Sequence, residues 1–179
     1  MFVPSPVNRT AKLSLTALTA ALALAFSVLK LEAPFPVLPY LKFDLAEVPV
    51  TLGFLLCGLP YGVAAETVHF LGLVARGADP LGAFMKFLAV VSMFLGAYRF
   101  SSAVTRLALG VAARVAAMTL ASYAYFYLLF PGFLGYALKY TGSVYALFAY
   151  TALFNVIHGA ATMALSMLVV REVKKRVRI

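Results

Sequence analysis

An all-α, polytopic membrane fold of six transmembrane helices with both chain ends cytoplasmic is predicted by three observations. The first is composition. Of 179 residues, 64% are hydrophobic and 12% charged, with mean hydropathy +0.97, whereas soluble chains carry roughly 25% charged residues. Such a chain has too little polar surface to cover a water-exposed globule. The second is the arrangement of apolar residues in six runs without a soluble stretch between them, so residues 1–179 read as one membrane-embedded helical domain. The third is a lopsided distribution of basic residues.

The runs extend from about Lys12 to Leu29, Leu45 to Leu59, Tyr61 to Ala75, Leu81 to Ala97, Val104 to Phe130 and Val144 to Val170. Spanning needs about 20 apolar residues, with a range of about 17–25. The second and third runs are short and separated only around Gly58-Leu59-Pro60. They form either one helical hairpin or two tilted, partly buried helices, giving five or six spans. Charge favours six. With the N-terminus inside, the inner side holds Arg9, Lys12, Arg99, Arg106, Arg171, Lys174, Lys175, Arg176 and Arg178 against Glu172. The outer side holds Lys30, Lys42, Arg76 and Lys139 against Glu32, Asp44, Glu47 and Asp79. That is a positive-inside bias. A signal peptide cleaved near Ala23-Leu24-Ala25 is the alternative for the first run; its continuation to Leu31 favours an uncleaved helix.

Net charge +9 invites a nucleic-acid reading. The crowding of five of those charges after the last apolar run points instead to a cytoplasmic membrane flank. The lone Cys57 excludes an internal disulfide and a cysteine-only metal site. Between Lys30 and Asp44, Pro34, Pro36 and Pro39 exclude regular helix and stiffen an extended loop. With Phe35, Tyr40 and Phe43, this loop is either a connector or a lid over an outward-facing pocket.

No His-Glu-x-x-His, phosphate-binding loop, Gly-x-Ser-x-Gly or paired-aspartate motif is present, and the two histidines lie on different runs. No catalytic residue and no metal ligand set is therefore assigned, and the chain is not expected to be an enzyme. What remains at membrane depth is Glu66, His69, Lys86, Arg114, Asn155 and His158. Such groups are costly in a bilayer and face a bundle interior. Glu66 with His69, and Asn155 with His158, share the i, i+3 spacing that puts a pair on one helix face. One reading is a structural Glu66–Lys86 ion pair with hydrogen-bonded histidines; the other sends Lys86, Asn155 and His158 into one pocket. Ala17, Ala21 and Ala25 form a small-residue stripe on the first run that lets another helix approach closely. Ala108, Ala112 and Ala116 form a similar one.

The stretch Leu38-Pro39-Tyr40-Leu41-Lys42-Phe43-Asp44-Leu45-Ala46-Glu47-Val48-Pro49, followed by Gly58-Leu59-Pro60-Tyr61-Gly62-Val63, resembles the S components of energy-coupling factor (ECF) vitamin transporters, most closely the riboflavin-specific branch. Asn155 with His158 resembles that branch's Asn and basic residue in the last helix. The alanine stripe resembles the family's docking surface. Two differences stand out: His158 replaces a Lys, and Gly82-Ala83-Phe84-Met85-Lys86-Phe87 lacks the acid and amide of the branch's Gly-Glu-x-x-Asn-Phe.

The resemblance covers nearly the whole chain. It implies a multi-pass protein of the cell membrane that captures riboflavin, or a related flat micronutrient, through Asn155, His158, Lys86, Tyr40 and Phe43. A transmembrane coupling protein would dock on Ala17, Ala21 and Ala25, and two ATPase subunits would supply the energy. A flavin suits such a site: its ring needs the apolar walls that Phe and Tyr supply, and an asparagine amide can match its uracil-like edge in two places. The rivals are a proton-coupled secondary transporter using Glu66, His69 and Lys86 as a relay, and a membrane scaffold without a ligand.

Overall fold

The computed structural model describes residues 8–176. Helix α1 (Arg9–Val28) leads into a short hairpin of β1 (Glu32–Pro34) and β2 (Lys42–Asp44), then α2 (Glu47–Cys57), α3 (Leu59–Ala75), α4 (Pro80–Ala97) and α5 (Ala103–Ala124). A π-helical turn, Tyr125–Leu129, continues α5, and α6 (Pro131–Thr141) and α7 (Val144–Arg176) follow. Among the described residues α1, α4, α7 and α5 with its π-helical turn are long and apolar enough to cross a membrane, while α2 and α3 are shorter.

Local chemistry sets the boundaries. Asn8 caps α1 by accepting from the Thr10 N–H, and Asp79 caps α4 by accepting from the Gly82 N–H at 2.6 Å, with Pro80 in the first turn. Gly58, at φ 98°, turns α2 into α3 in a single residue, a conformation that glycine adopts without a Cβ clash. The sharp turn makes the second and third runs antiparallel neighbours. Cys57 Sγ and the Tyr61 ring both reach Lys12, so the α2–α3 turn lies beside the start of α1.

Two expectations change here. The Lys30–Asp44 loop is not merely extended: its ends pair as an antiparallel hairpin with Glu32 opposite Asp44 and Pro34 opposite Lys42. Prolines excluded helix but tolerate an edge strand. The stretch between the fifth and sixth runs, to which no element was assigned, contains the extra helix α6, which begins at Pro131 and is capped by left-handed Gly142. The expected tail residue Arg178 lies outside the described residues.

Packing forms two clusters. Ala20, Ala23, Val50, Phe54, Ala65, Val90, Met93, Phe94 and Met163 fill the middle of the bundle, with Phe54 and Phe94 stacked at 4.5 Å. Phe35, Leu38, Phe126, Ala137, Leu147 and Phe154 tie the hairpin loop, the π-helical turn and α6 to the first half of α7. Helices α4 and α5 meet most closely at Gly96, where a Cβ would stand 2.4 Å from the Leu109 carbonyl oxygen.

Candidate functional site

At the end of the bundle away from the α2–α3 turn lies a cavity of about 320 Å³, within the roughly 300–1,000 Å³ of small-molecule sites. Its walls are mostly apolar: Met85 and Ala89 from α4, Met118 from α5, Tyr125 and Phe126 from the π-helical turn, Phe133 from α6 and Phe154 from α7. The hairpin loop closes one side through Tyr40 and Leu41. Tyr40 meets Phe133 edge-on at 5.2 Å, so loop and α6 join over the cavity. π-Helical turns insert one residue and recur at functional sites; this one turns Tyr125 and Phe126 toward the cavity.

The polar wall is built from charges that were expected to be apart. Arg114 of α5 binds the Glu47 carboxylate of α2 in a two-pronged pair, Nη1 to Oε2 at 2.6 Å and Nη2 to Oε1 at 3.0 Å. Its Nε donates to Asn155 Oδ1 at 3.2 Å, and its Nη2 lies 3.2 Å from His158 Nδ1. Asn155 donates to the Thr151 carbonyl at 2.9 Å. All four side chains are buried, Arg114 at 2% exposure. Two fully ionic groups in a dry interior persist only when paired and hydrogen-bonded, and here both are. Glu47 was counted among outer, solvated charges, because its partner is 67 residues away in sequence and no local spacing marks the pair.

Lys86 of α4 pairs with Asp44 at the end of β2, Nζ to Oδ2 at 2.6 Å, with a third of its side chain exposed. Asp44 also accepts from the Ala46 N–H at 2.8 Å and so caps the approach to α2. The expected Glu66–Lys86 pair does not form. Glu66 instead faces His69 Nδ1 at 3.3 Å, and His69 Nε2 lies 3.0 Å from Ser27 Oγ. That chain joins α3 to α1 and does not line the cavity, and no hydrogen bond or ion pair links Glu66 or His69 directly to Lys86.

Of the residues singled out from sequence, Tyr40, Lys86, Asn155 and His158 line the cavity together. Phe43 does not. Its ring packs against Phe154 at 4.9 Å and His158 at 5.6 Å, behind the cavity wall, and borders a smaller hollow of about 180 Å³. Period 2 explains this: on β2, Lys42 and Phe43 point to opposite faces, and Lys42 is the one that reaches the cavity. The Tyr40 hydroxyl is buried without a hydrogen-bond partner among the described residues. Burial, with Tyr125 and Tyr136 nearby, pushes it up to about 12, so it stays protonated at any physiological pH. Among the described residues no three His, Cys, Asp or Glu side chains gather as metal ligands. Ala17, Ala21 and Ala25 are exposed along α1, while Thr16, Thr19, Ala20 and Ala23 face inward.

Fold and cavity together define a helical bundle with membrane-length apolar helices and a partly open, mostly apolar cavity of small-molecule size. No protein-family model and no curated protein sequence matches the chain. Among solved structures it is similar to one described as the S component of a bacterial ECF transporter, with TM-score 0.76 and 24% identity over 94% of this chain and 98% of that one. The likeness extends over both chains almost end to end and establishes a shared fold.

Proposed function

We propose that the chain is the substrate-binding subunit of an ECF-type ABC transporter, capturing riboflavin or a related flat micronutrient for ATP-driven uptake. The observation that carries this reading is the cavity: partly open, mostly apolar with Tyr40, Tyr125, Phe126, Phe133 and Phe154 in its lining, polar along one wall, and bordered by the hairpin loop and α6. The shared fold supports it.

A planar heterocycle fits the chemistry of the walls. Asn155 spends one N–H on Thr151 and one oxygen lone pair on Arg114; one of each remains for a ligand edge. Lys86 keeps two N–H groups after binding Asp44. Each cation of the lining, Lys42, Lys86 and Arg114, is paired with a carboxylate, so none is left over for an anionic ligand.

In the cell membrane the bundle is placed with six spans and both ends cytoplasmic, which puts the cavity on the outside. Helix α2, 11 residues long and hence about 17 Å, falls short of a bilayer alone. Buried Asp44 and Ala46 extend its path, and irregular backbone at membrane depth is tolerated where protein covers it. The exposed Ala17, Ala21 and Ala25 stripe is the docking surface for a transmembrane coupling protein, which brings two ATPase subunits.

Purification in mild detergent, followed by visible absorbance and flavin fluorescence, tests the ligand. About one quenched flavin per chain is expected, and Asn155→Ala should release it. A colourless protein that leaves added riboflavin unquenched removes the flavin and calls for a screen of other vitamins.

A further inference from the structure

We infer that Arg114 is a positioning residue of this site: its guanidinium, clamped by Glu47, fixes the amide orientation that Asn155 presents to the ligand and holds the His158 ring in the cavity wall. The inference rests on the reading that these two side chains meet a small molecule.

A guanidinium has five N–H donors in one rigid plane and no acceptor. The two-pronged contact with Glu47, at 2.6 and 3.0 Å, holds that plane. From it, Nε reaches Asn155 at 3.2 Å and Nη2 reaches His158 Nδ1 at 3.2 Å. Asn155 must therefore turn its oxygen toward Arg114, because the flipped amide would set donor against donor. The Arg114 donor calls for a lone pair on His158 Nδ1 and hence a proton on Nε2, which lies 3.2 Å from the Asp44 carbonyl oxygen that can accept it and 3.2 Å from the Asp44 N–H. Arg114, with the Thr151 carbonyl accepting from the other end of the amide, thus fixes the Asn155 orientation, and it selects the His158 tautomer. Helix α7 makes room for it at Gly159, where a Cβ would stand 3.0 Å from Arg114 Cδ.

Stability alone does not call for this arrangement. A buried ion pair exchanged for apolar side chains of similar volume is often neutral or stabilising. The double variant Glu47→Met/Arg114→Met uses that fact, since it leaves no orphaned charge. Arg114→Lys is the second variant; it keeps a cation beside Glu47, but a single ammonium lacks the fork that holds both neighbours.

The first readout needs no ligand. The chain has 2 histidines, so ¹⁵N-histidine NMR in detergent, with His69→Gln for assignment, reports the His158 tautomer directly. The expected wild-type pattern is bare Nδ1 and protonated Nε2, lost in both variants. The second readout is riboflavin affinity by fluorescence quenching, expected to weaken about tenfold or more with unfolding temperatures close to wild type. A wild-type His158 protonated on Nδ1, or variants that keep both tautomer and affinity, would overturn the inference. If the wild type fails to quench riboflavin, the flavin reading falls, and the tautomer comparison alone decides the role of Arg114.

Discussion

Lys86 and Tyr40 stand on opposite sides of the cavity mouth and are bound to it in opposite ways. Lys86 holds the hairpin shut through Asp44, which is 3% exposed, and has no substitute cation at that distance. Lys86→Met should cost about 1–2 kcal/mol, discounted for its partly exposed ammonium. It should also make the 30–44 loop more sensitive to protease, and bound ligand should protect the wild-type loop but not the variant. Thermal unfolding and limited digestion with chymotrypsin, whose sites include Tyr40 and Phe43, check both. Tyr40 is the reverse case. A buried hydroxyl without a partner costs about 1–3 kcal/mol, so Tyr40→Phe should raise the unfolding temperature while the ring keeps its contact with Phe133. A fall in that temperature would mean that the hydroxyl is already satisfied.

At the scale of elements, the bundle divides into a part that packs without a ligand and a part that encloses one. Helices α4 and α5 belong to the first: the Gly96 approach to the Leu109 carbonyl leaves no room for a side chain. Gly96→Val should separate the pair and destabilise the protein by about 1–3 kcal/mol or more, seen as a lower thermal midpoint with or without ligand. The hairpin, π-helical turn and α6 form the second part, joined through aromatic contacts such as Tyr40–Phe133 and Tyr125–Phe130. Their apolar surface is shared among three separate pieces of chain, the arrangement that lets a cover shift as a unit. The runs of apolar residues marked α1, α4, α5 and α7 within a few residues, because periodicity and capping are local. The hairpin and α6 were not legible. A three-residue strand has too short a pattern to register, and α6 is amphipathic for only 11 residues.

For the molecule as a whole, the exposed faces matter as much as the cavity. Ala17, Ala21 and Ala25 form an exposed small-residue stripe along α1, the surface on which the proposed coupling protein's helix would pack closely. Ala21→Leu should leave thermal stability and ligand affinity unchanged and abolish co-purification with that protein; unimpaired co-purification would move the docking surface elsewhere, the exposed Ala108, Ala112 and Ala116 stripe on α5 being next. The 33 residues of α7 extend about 50 Å, beyond the roughly 30 Å hydrocarbon layer. Its end carries Arg171, Lys174, Lys175 and Arg176, the positive charge on which the proposed cytoplasmic placement of that end rests.

Composition, the placement of apolar runs and the loop-by-loop charge balance by themselves determined that this is a helical membrane chain. They also singled out Asn155, His158 and Lys86, because a polar group in an apolar run is conspicuous wherever its partner lies; Tyr40 came instead from the aromatic loop and the family resemblance. Only the tertiary structure decided how those groups are used. It set Glu47 against Arg114, gave Lys86 to Asp44 rather than Glu66, turned Phe43 behind the wall and sent Glu66 and His69 to Ser27. The physical reason is range: hydropathy and helix period act over a few residues, whereas an ion pair in a low-dielectric interior is chosen by which helices the fold brings within a few ångströms.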